Sequence, residues 1–164
     1  MERFAREYAF PLSHSLQRPL CVLEVGSRDI NGSYRPIFDD ERVVAQYVGI
    51  DVTDGPGVNF VVEPHHWSFK IGYFDVIICG QTLEHDPKFW LTLEQIRNSA
   101  KPGTLACIIA PGCGPQHNPP DYYRFLPHAP KVWAELLGAE LLESWWDEKS
   151  PHCDCRGNLK WDER

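Results

Sequence analysis

The sequence predicts one α/β domain over residues 1–164, with a mostly parallel central sheet and helices on both of its faces. Three observations predict this fold class. First, 164 residues suit a single domain with one core. Second, the apolar runs are short, rich in Val and Ile and nearly continuous, as in strands that are covered on both faces. Third, strand and helix patterns alternate along the chain, which is typical of α/β domains.

Four clear apolar runs and a fifth, shorter one predict the strands. Their hydrophobicity is continuous rather than alternating, which indicates that both faces of each strand are buried. In chain order the runs are CVLEV (21–25), YVGIDV (47–52), the shorter VNFVV (58–62), FDVIICG (74–80) and TLACIIA (104–110).

The clearest helix is predicted ahead of the last of these runs. Phe89, Leu93, Ile96 and Ala100 recur there at helical spacing, between an Asp-Pro start and a Pro-Gly stop. The stretch HAPKVWAELLGAE (128–140) predicts a second helix, with a proline in its first turn and a glycine near its end.

Two other segments predict less helical structure. FAREYAF (4–10) predicts a short helix before the first strand. NGSYRPIFDDERV (31–43) is short and is interrupted by a proline, so we expect only one or two turns there.

Composition and charge exclude some partners and locations. The formal net charge of −7 argues against nucleic acid, because affinity for a phosphate backbone depends largely on Lys and Arg. No apolar run approaches the ~20 residues that span a bilayer, and MERFAREYAF (1–10) is charged where a signal peptide is apolar. We therefore expect a cytoplasmic protein with no membrane contact, whose six cysteines are mostly reduced. Cys21, Cys79 and Cys107 lie inside apolar runs and are expected in the core.

The turn after the first predicted strand lacks the glycines of a dinucleotide site. Counting from Gly26, the pattern G-x-G-x-x-G puts Arg28 and Asn31 where glycines are required, and no G-K-[ST] of a phosphate-binding loop follows. What remains is Glu24, shortly before the turn, and Asp51 at the end of the second strand. An acid at the end of that strand can accept hydrogen bonds from both hydroxyls of a ribose. These residues therefore favour a nucleoside site without a grip on a pyrophosphate.

Four stretches, taken together in this order, resemble the S-adenosylmethionine-dependent methyltransferases with a Rossmann-like fold, in particular the large type 11 group. They are VLEVGSRDINGS (22–33), YVGIDV (47–52), FDVIICGQTLEH (74–85) and SAKPGTLACIIAP (99–111). The resemblance covers most of the chain and implies S-adenosylmethionine as the cofactor. Two positions depart from the family pattern. Thr104 replaces a second glycine, and Arg28 stands where the family often has a glycine near the methionine moiety.

The resemblance implies cofactor contacts at the ends of the first, second, third and fourth strands. Asp51 matches the acid that binds the ribose, and Glu63 lies in the loop that passes over the adenine. The simpler alternatives stay open: Gly26 as a turn glycine, Asp51 as a helix N-cap, Glu24 held by backbone amides, and hydrogen bonds within the loops. The implied contacts are Glu24, Gly26, Ser27, Arg28, Asp51, Val52, Glu63, Gln81 and Thr82.

The stretch APGCGPQHNPPDYYRFLP (110–127) follows the fifth strand and should overhang the mouth of the site. Similar passages in family members imply a loop over the substrate pocket. His117 is the best candidate for a base and His85 is a second, because the histidine pKa lies near neutrality. The alternatives are a packed crossover with Arg124 paired to an internal carboxylate, and a positioning role for His85. The implied substrate contacts are Asp121, Tyr122 and Arg124.

No metal site is predicted from the histidines and cysteines. His65, His66, Cys113 and His117 are scattered along the chain, and no C-x-x-C pair occurs. The stretch HCDCRGNLK (152–160) has a spacing that zinc sites rarely use alone. It is more similar to the last edge strand of the methyltransferase fold.

The function that the resemblance implies is in-line methyl transfer to a small-molecule or glycan-type acceptor. Two other classes stay open. A non-catalytic methyltransferase-like subunit that binds cofactor or a partner is favoured by Arg28, and an NAD-binding Rossmann enzyme is disfavoured by the missing glycines. Only about twenty residues precede the first strand, so we expect an open site, a homodimer that completes it, or a large acceptor.

Overall fold

The computed structural model describes residues 1–69, 72–150 and 153–162, and a seven-stranded sheet lies at its centre. The strands are β1 (Leu20–Val25), β2 (Val44–Asp51), β3 (Phe60–Val61), β4 (Val76–Gly80), β5 (Leu105–Ala110), β6 (Glu140–Asp147) and β7 (Asp154–Lys160). They are arranged in the order β3-β2-β1-β4-β5-β7-β6. The first five pair in parallel, whereas β7 is antiparallel to β5 and β6. The predicted α/β class with a mostly parallel sheet is confirmed.

The C-terminal strands differ from the prediction. The last strand, β7, is enclosed between β5 and β6, so β6 is the edge strand on that side of the sheet. No strand is predicted at β6, because its residues are mostly half-buried or exposed and so form no continuous apolar run. His152, at the start of the predicted edge strand, lies outside the described residues.

Helices cover both faces of the sheet. The N-terminal segment forms α1 (Glu2–Phe4), a π-helical stretch (Ala5–Ala9) and α2 (Phe10–Leu16), which is longer than the predicted short helix. The two other predicted helices are confirmed as α3 (Phe89–Ser99) and α4 (Ala129–Leu137). In the part of the chain described here, no helix has the length and apolar character needed to cross a bilayer.

Among the described residues, two 3₁₀ turns lie between the larger elements. The first, Arg35–Phe38, is the short helical turn expected within residues 31–43. The second, Leu83–His85, follows β4 almost directly and therefore belongs to the edge of the sheet where the strands end.

The core consists of two clusters of buried side chains, one on each face of the sheet. Successive residues of β4 alternate between them. Ile77 and Cys79 pack in the cluster with α3 and α4, whereas Val76 and Ile78 pack with Phe4 of the N-terminal helices. Because both faces are covered, every residue of such a strand can be apolar, which explains the continuous runs in the sequence.

Asp75 holds together the opposite edge, where the strands begin. Its carboxylate accepts hydrogen bonds from the Arg18 guanidinium at 2.8 Å and the Cys21 backbone N–H at 2.9 Å. The Lys101 ammonium lies 2.8 Å from the same carboxylate. Burial would raise the pKa of Asp75, but these donors outweigh it and lower the pKa to about 2.

One pair of cysteines departs from the expectation of reduced thiols. Cys113, after β5, and Cys153, before β7, form a disulfide with a Cα–Cα distance of 5.4 Å. The two are 40 residues apart in the sequence, so only the pairing of β5 with β7 brings them together. The cysteines of β4 and β5 are buried in the core as expected. The free cysteines are Cys21, Cys79, Cys107 and Cys155.

Candidate active site

The candidate site lies at the edge where the parallel strands end, because the loops after β1, β2, β4 and β5 all leave the sheet there. Gly26 makes the turn after β1 with a φ of 75°, a conformation that favours glycine. The side chain of Thr82, after β4, packs against Gly26 where a Cβ would stand. Thr82 Oγ1 also donates a hydrogen bond to the Gly80 carbonyl at 3.0 Å. The fold therefore brings two of the predicted cofactor residues into contact.

Asp51 ends β2 directly beside the glycine turn. Its Oδ2 accepts a hydrogen bond from the backbone N–H of Arg28 at 3.2 Å, and its Oδ1 accepts one from Thr53 at 3.0 Å. A carboxylate has about four lone-pair positions, so each oxygen can accept one more hydrogen bond. Asp51 thus caps two loop amides and keeps the capacity to bind a diol. Val52, next to it, exposes about half of its side chain.

Arg28 contributes to this arrangement through its backbone, and its side chain turns towards the loop after β2. The Arg28 Nε lies 3.0 Å from where a Cβ on Gly55 would stand. The neighbouring Asp29 N–H donates a hydrogen bond to the Pro56 carbonyl at 2.8 Å. The loops after β1 and β2 are therefore packed together, and Ser27 is buried beneath them.

Glu24 is buried within β1 and has a partner that no sequence pattern indicated. The Tyr47 hydroxyl donates a hydrogen bond to its carboxylate at 2.8 Å, and the Arg35 guanidinium lies over the Tyr47 ring at 4.6 Å. Burial raises the pKa of Glu24 to about 7, which the Tyr47 hydrogen bond only partly opposes. The structure therefore differs from the alternative in which backbone amides hold Glu24.

The loop after β3 divides between the surface and the core. Glu63 is exposed, and its backbone pairs with that of His66 in an isolated antiparallel β-bridge. Trp67 is buried in the core cluster that also contains side chains of α3 and α4. His65 pairs with Asp86 at 2.9 Å, which ties this loop to the start of the α3 region.

Gln81 links the end of β4 to the start of β7. Its Nε2 donates a hydrogen bond to Asp154 Oδ1 at 2.8 Å. Its Oε1 is buried and has no hydrogen-bond partner among the described residues, and the same holds for Ser27 Oγ. A buried polar atom without a partner is costly, so each of these two atoms is suited to a ligand.

Two histidines and one buried carboxylate meet above the end of β4. Glu84 Oε1 lies 3.6 Å from His85 Nε2 and 3.7 Å from His117 Nε2. The Glu84 side chain is fully buried, and burial raises its pKa to about 8. The two imidazole rings contact each other edge to face, with centroids 5.1 Å apart. The fold thus brings both predicted base candidates next to Glu84. The Glu84-His85 dipeptide was the signal in the sequence that could have identified this carboxylate.

The loop after β5 is held by an internal ion pair. Arg124 makes a bidentate contact with Asp121, at 2.6 and 2.7 Å, and Asp121 also accepts a hydrogen bond from the His117 N–H at 2.9 Å. The hydrogen bonds from Arg124 hold the pKa of Asp121 well below its usual range. This is the alternative in which Arg124 pairs with an internal carboxylate. Of the predicted substrate residues, Tyr122 has the exposed ring, at 52%.

The comparison with known families defines the class of this protein. Residues 1–156 match the family model described as a methyltransferase domain, so the chain belongs to this family. It is a methyltransferase that takes its methyl group from S-adenosylmethionine. Among curated proteins, none matches the chain by sequence.

Solved structures show the same fold. An S-adenosylmethionine-dependent methyltransferase from Aquifex aeolicus is 17% identical, with a TM-score of 0.65 over 94% of this chain and 92% of that one. The 1,6-didemethyltoxoflavin N1-methyltransferase of Burkholderia thailandensis, with S-adenosylhomocysteine bound, is 16% identical, with a TM-score of 0.70 over 98% and 79%. The magnesium protoporphyrin IX methyltransferase of Synechocystis PCC 6803, with S-adenosylmethionine bound, is 10% identical, with a TM-score of 0.66 over 98% and 79%.

The residues at the carboxyl edge of the sheet fit this cofactor. Asp51 has hydrogen-bonding capacity for a ribose, and Ser27 Oγ and Gln81 Oε1 are buried polar atoms that lack partners in the described part of the chain. A separate cavity of about 480 Å³ lies at the opposite edge, where Arg18 and Arg42 line it. That cavity is remote from the loops after the strands, where α/β domains bind their ligands.

Proposed function

We propose that this methyltransferase transfers a methyl group in line to a small-molecule or glycan-type acceptor, held between the loop after β4 and the loop after β5. The observation that carries the proposal is the meeting of His85 and His117 on the buried Glu84 carboxylate. Both histidines follow the ends of parallel strands, where α/β domains bind their ligands.

The proposed cofactor site uses the turn after β1 and the ends of β2 and β4. Asp51 would accept hydrogen bonds from both ribose hydroxyls, and Gly26 would let the cofactor approach the backbone closely. Support comes from the short distance between Asp51 and the Arg28 amide, 3.2 Å, which keeps the acid beside the glycine turn. The other proposed cofactor contacts are Glu24, Ser27, Arg28, Val52, Glu63, Gln81 and Thr82.

When bound, S-adenosylmethionine supplies the methyl group of its sulfonium, and the rest of the cofactor leaves as a neutral thioether. The chain itself has to align the acceptor and, if the acceptor is a hydroxyl, take up its proton. We propose His117 as the base, with His85 as the second candidate. The Asp121 carboxylate accepts a hydrogen bond from the His117 backbone N–H at 2.9 Å and lies 3.2 Å from His117 Nδ1, so it would stabilise the ring when His117 takes up a proton.

The proposed substrate residues act in two different ways. Tyr122 would contact the acceptor directly, because its ring is half exposed on the loop. Asp121 and Arg124 are paired with each other, and they would contribute mainly by holding the backbone of His117.

A small acceptor is supported by charge and by one relative. The net charge of −7 disfavours a phosphate backbone as substrate. The Burkholderia enzyme was crystallised with the small molecule 1,6-didemethyltoxoflavin, and we extend this acceptor class to the present chain.

Methyl transfer to panels of hydroxylated small molecules and of glycans tests the proposal. Isotope-labelled S-adenosylmethionine is the donor, and mass spectrometry detects labelled product. We expect at least one panel to be methylated and His117→Ala to slow the transfer about 100-fold or more, the range typical of a lost general base. If the wild-type protein binds S-adenosylmethionine but methylates neither panel, the proposed acceptor class is refuted.

A homodimer and a cytoplasmic location belong to the same proposal. The edge strand β3 exposes Phe60 and Val61, each at 55%, and an unpaired strand edge with apolar side chains favours association. Sedimentation velocity should show a dimer for the wild type and a monomer for Phe60→Glu. A monomeric wild type would refute the proposed dimer. Cell fractionation checks the location.

A further inference from the structure

We propose that Glu84, His85 and His117 form a binding site for a divalent transition-metal ion such as Zn²⁺. One ligand atom from each residue lies within 4.8 Å of the other two. The residues come from two loops that meet only in the fold, so their spacing in the sequence carries no zinc signature. The proposal goes beyond the methyl-transfer function, and metal binding as such does not depend on that function.

The distances fit a shared cation better than direct hydrogen bonds. Glu84 Oε1 is 3.6 Å from His85 Nε2 and 3.7 Å from His117 Nε2, beyond the usual 2.7–3.2 Å of an N–H···O bond. Two ligands bound to one zinc at ~2.1 Å in tetrahedral geometry are about 3.4 Å apart. The three groups therefore need to move only slightly to coordinate one ion.

The second nitrogen of the His85 imidazole is directed at an acceptor. His85 Nδ1 lies 2.7 Å from the Pro120 carbonyl oxygen, which can only accept, so Nδ1 carries the proton and Nε2 keeps a lone pair. Such a contact is the usual support of a histidine ligand in a metal site. His117 Nδ1 lies 3.2 Å from the Asp121 carboxylate, an electrostatic contact without the geometry of a hydrogen bond.

Glu84 is the independent observation that points to a cation. Its side chain is fully buried, and neither carboxylate oxygen has a hydrogen-bond partner among the described residues. His85 Nε2 and His117 Nε2 lie 3.6 and 3.7 Å from Glu84 Oε1. A buried carboxylate without a hydrogen-bond partner is unfavourable, and a metal ion bound by all three groups would supply a partner.

The ligand set selects the kind of ion. Two imidazoles and one carboxylate suit Zn²⁺, Fe²⁺, Co²⁺ or Ni²⁺, whereas Mg²⁺ and Ca²⁺ prefer oxygen ligands throughout. Three protein ligands leave at least one coordination position open, as in catalytic rather than structural zinc sites.

The role that we infer for the ion depends on the proposed function. An acceptor hydroxyl in the open position would lose its proton more easily, because a bound divalent cation lowers the pKa of a coordinated oxygen. With the ion bound, the two histidines act as its ligands and His117 no longer serves as the base, so the proton leaves to solvent when the acceptor oxygen binds. The oxygen–carbon bond forms as the carbon–sulfur bond breaks, so no further reactant is needed.

Metal titration of the untagged protein tests the site. The chain is first dialysed against a chelator, and Zn²⁺ is then added in a calorimeter, with Co²⁺ as a spectroscopic probe of the ligands. We expect one ion per chain, a Co²⁺ visible spectrum of low coordination number, and binding at least ~100-fold weaker for Glu84→Gln and for His117→Ala. His14→Ala removes an exposed histidine on α2 and is the matched control, with unchanged binding.

Each result is decisive when circular dichroism shows that the variants are folded. Glu84→Gln keeps the shape of the side chain, and His117→Ala changes a loop, so at least one variant should fold. No Zn²⁺ binding by the wild type, or equal binding by wild type and both variants, overturns the site. Calorimetry with S-adenosylmethionine on the same metal-free sample separates the two ideas. Cofactor binding without metal binding refutes only the metal site, and metal binding without cofactor binding refutes only the proposed function.

Discussion

Replacing Asp51 by Ala should abolish most of the cofactor affinity while leaving the fold intact. In the proposed complex the carboxylate accepts one hydrogen bond from each ribose hydroxyl. Hydrogen bonds to a charged group contribute about 1.5–3 kcal/mol each, so the pair is worth about 3–6 kcal/mol. This corresponds to a dissociation constant for S-adenosylmethionine that is raised by about 100-fold to 10⁴-fold.

The cost of the same substitution to folding should be small. Asp51 caps the backbone N–H groups of Arg28 and Thr53, and both residues are exposed, so water can replace the carboxylate. We expect the free energy of unfolding to fall by about 1 kcal/mol, the usual loss for one cap. Affinity and stability therefore respond very differently to this change.

Calorimetry with S-adenosylhomocysteine and urea denaturation measure the two quantities. Asp54→Ala is the matched control, because it removes an equal charge from the same loop, where Asp54 caps the Gly55 N–H at 2.9 Å. The control should bind with wild-type affinity. Wild-type affinity in Asp51→Ala would refute the assignment of the ribose to this acid, and equal losses in both variants would indicate a general charge effect.

Three further predictions concern the turn, the opposite edge and the acceptor loop. Gly26→Ala should lower the free energy of unfolding by about 3 kcal/mol in urea, because φ is 75° and the new Cβ meets Thr82 Cγ2 at 2.6 Å. Asp75 has a native pKa of about 2, below its ordinary 3.8, so its contribution of about 2 kcal/mol should be full above pH ~4 and lost as pH falls through about 2. Stability curves of wild type and Asp75→Asn that stay parallel over this range would contradict it. Arg124→Lys keeps the charge but loses the bidentate contact with Asp121, so methyl transfer should slow about 10-fold with cofactor affinity unchanged. An unchanged rate would show that the clamp does not position the histidine.

Much of the fold could be predicted because the core strands are covered on both faces. The β4 run is apolar at every position, and its residues divide between the two core clusters. The edge strand β6 escaped prediction for the same reason, since half of its surroundings are solvent and its residues are mixed. The place of β7 inside the sheet depends on antiparallel pairing with β5, which no local pattern encodes.

The contacts of the candidate site could likewise be predicted only in part from the sequence. The nearness of Gly26 and Asp51 follows from strand topology, because both residues end neighbouring parallel strands. The hydrogen bond of Tyr47 to Glu24 and the contact of Thr82 with Gly26 depend on side-chain packing and had no signal in the sequence.

Local patterns of apolar and turn residues were sufficient to predict the class of the domain and to propose the edge at which the cofactor binds. These patterns are informative because the burial of a strand and the turn that follows it are each encoded by a few consecutive residues. The meeting of His117 with Glu84, and of Cys113 with Cys153, required the loop after β5 to fold back over the sheet. Such contacts join positions that are far apart in the chain, and packing of the whole domain is what brings them within bonding distance.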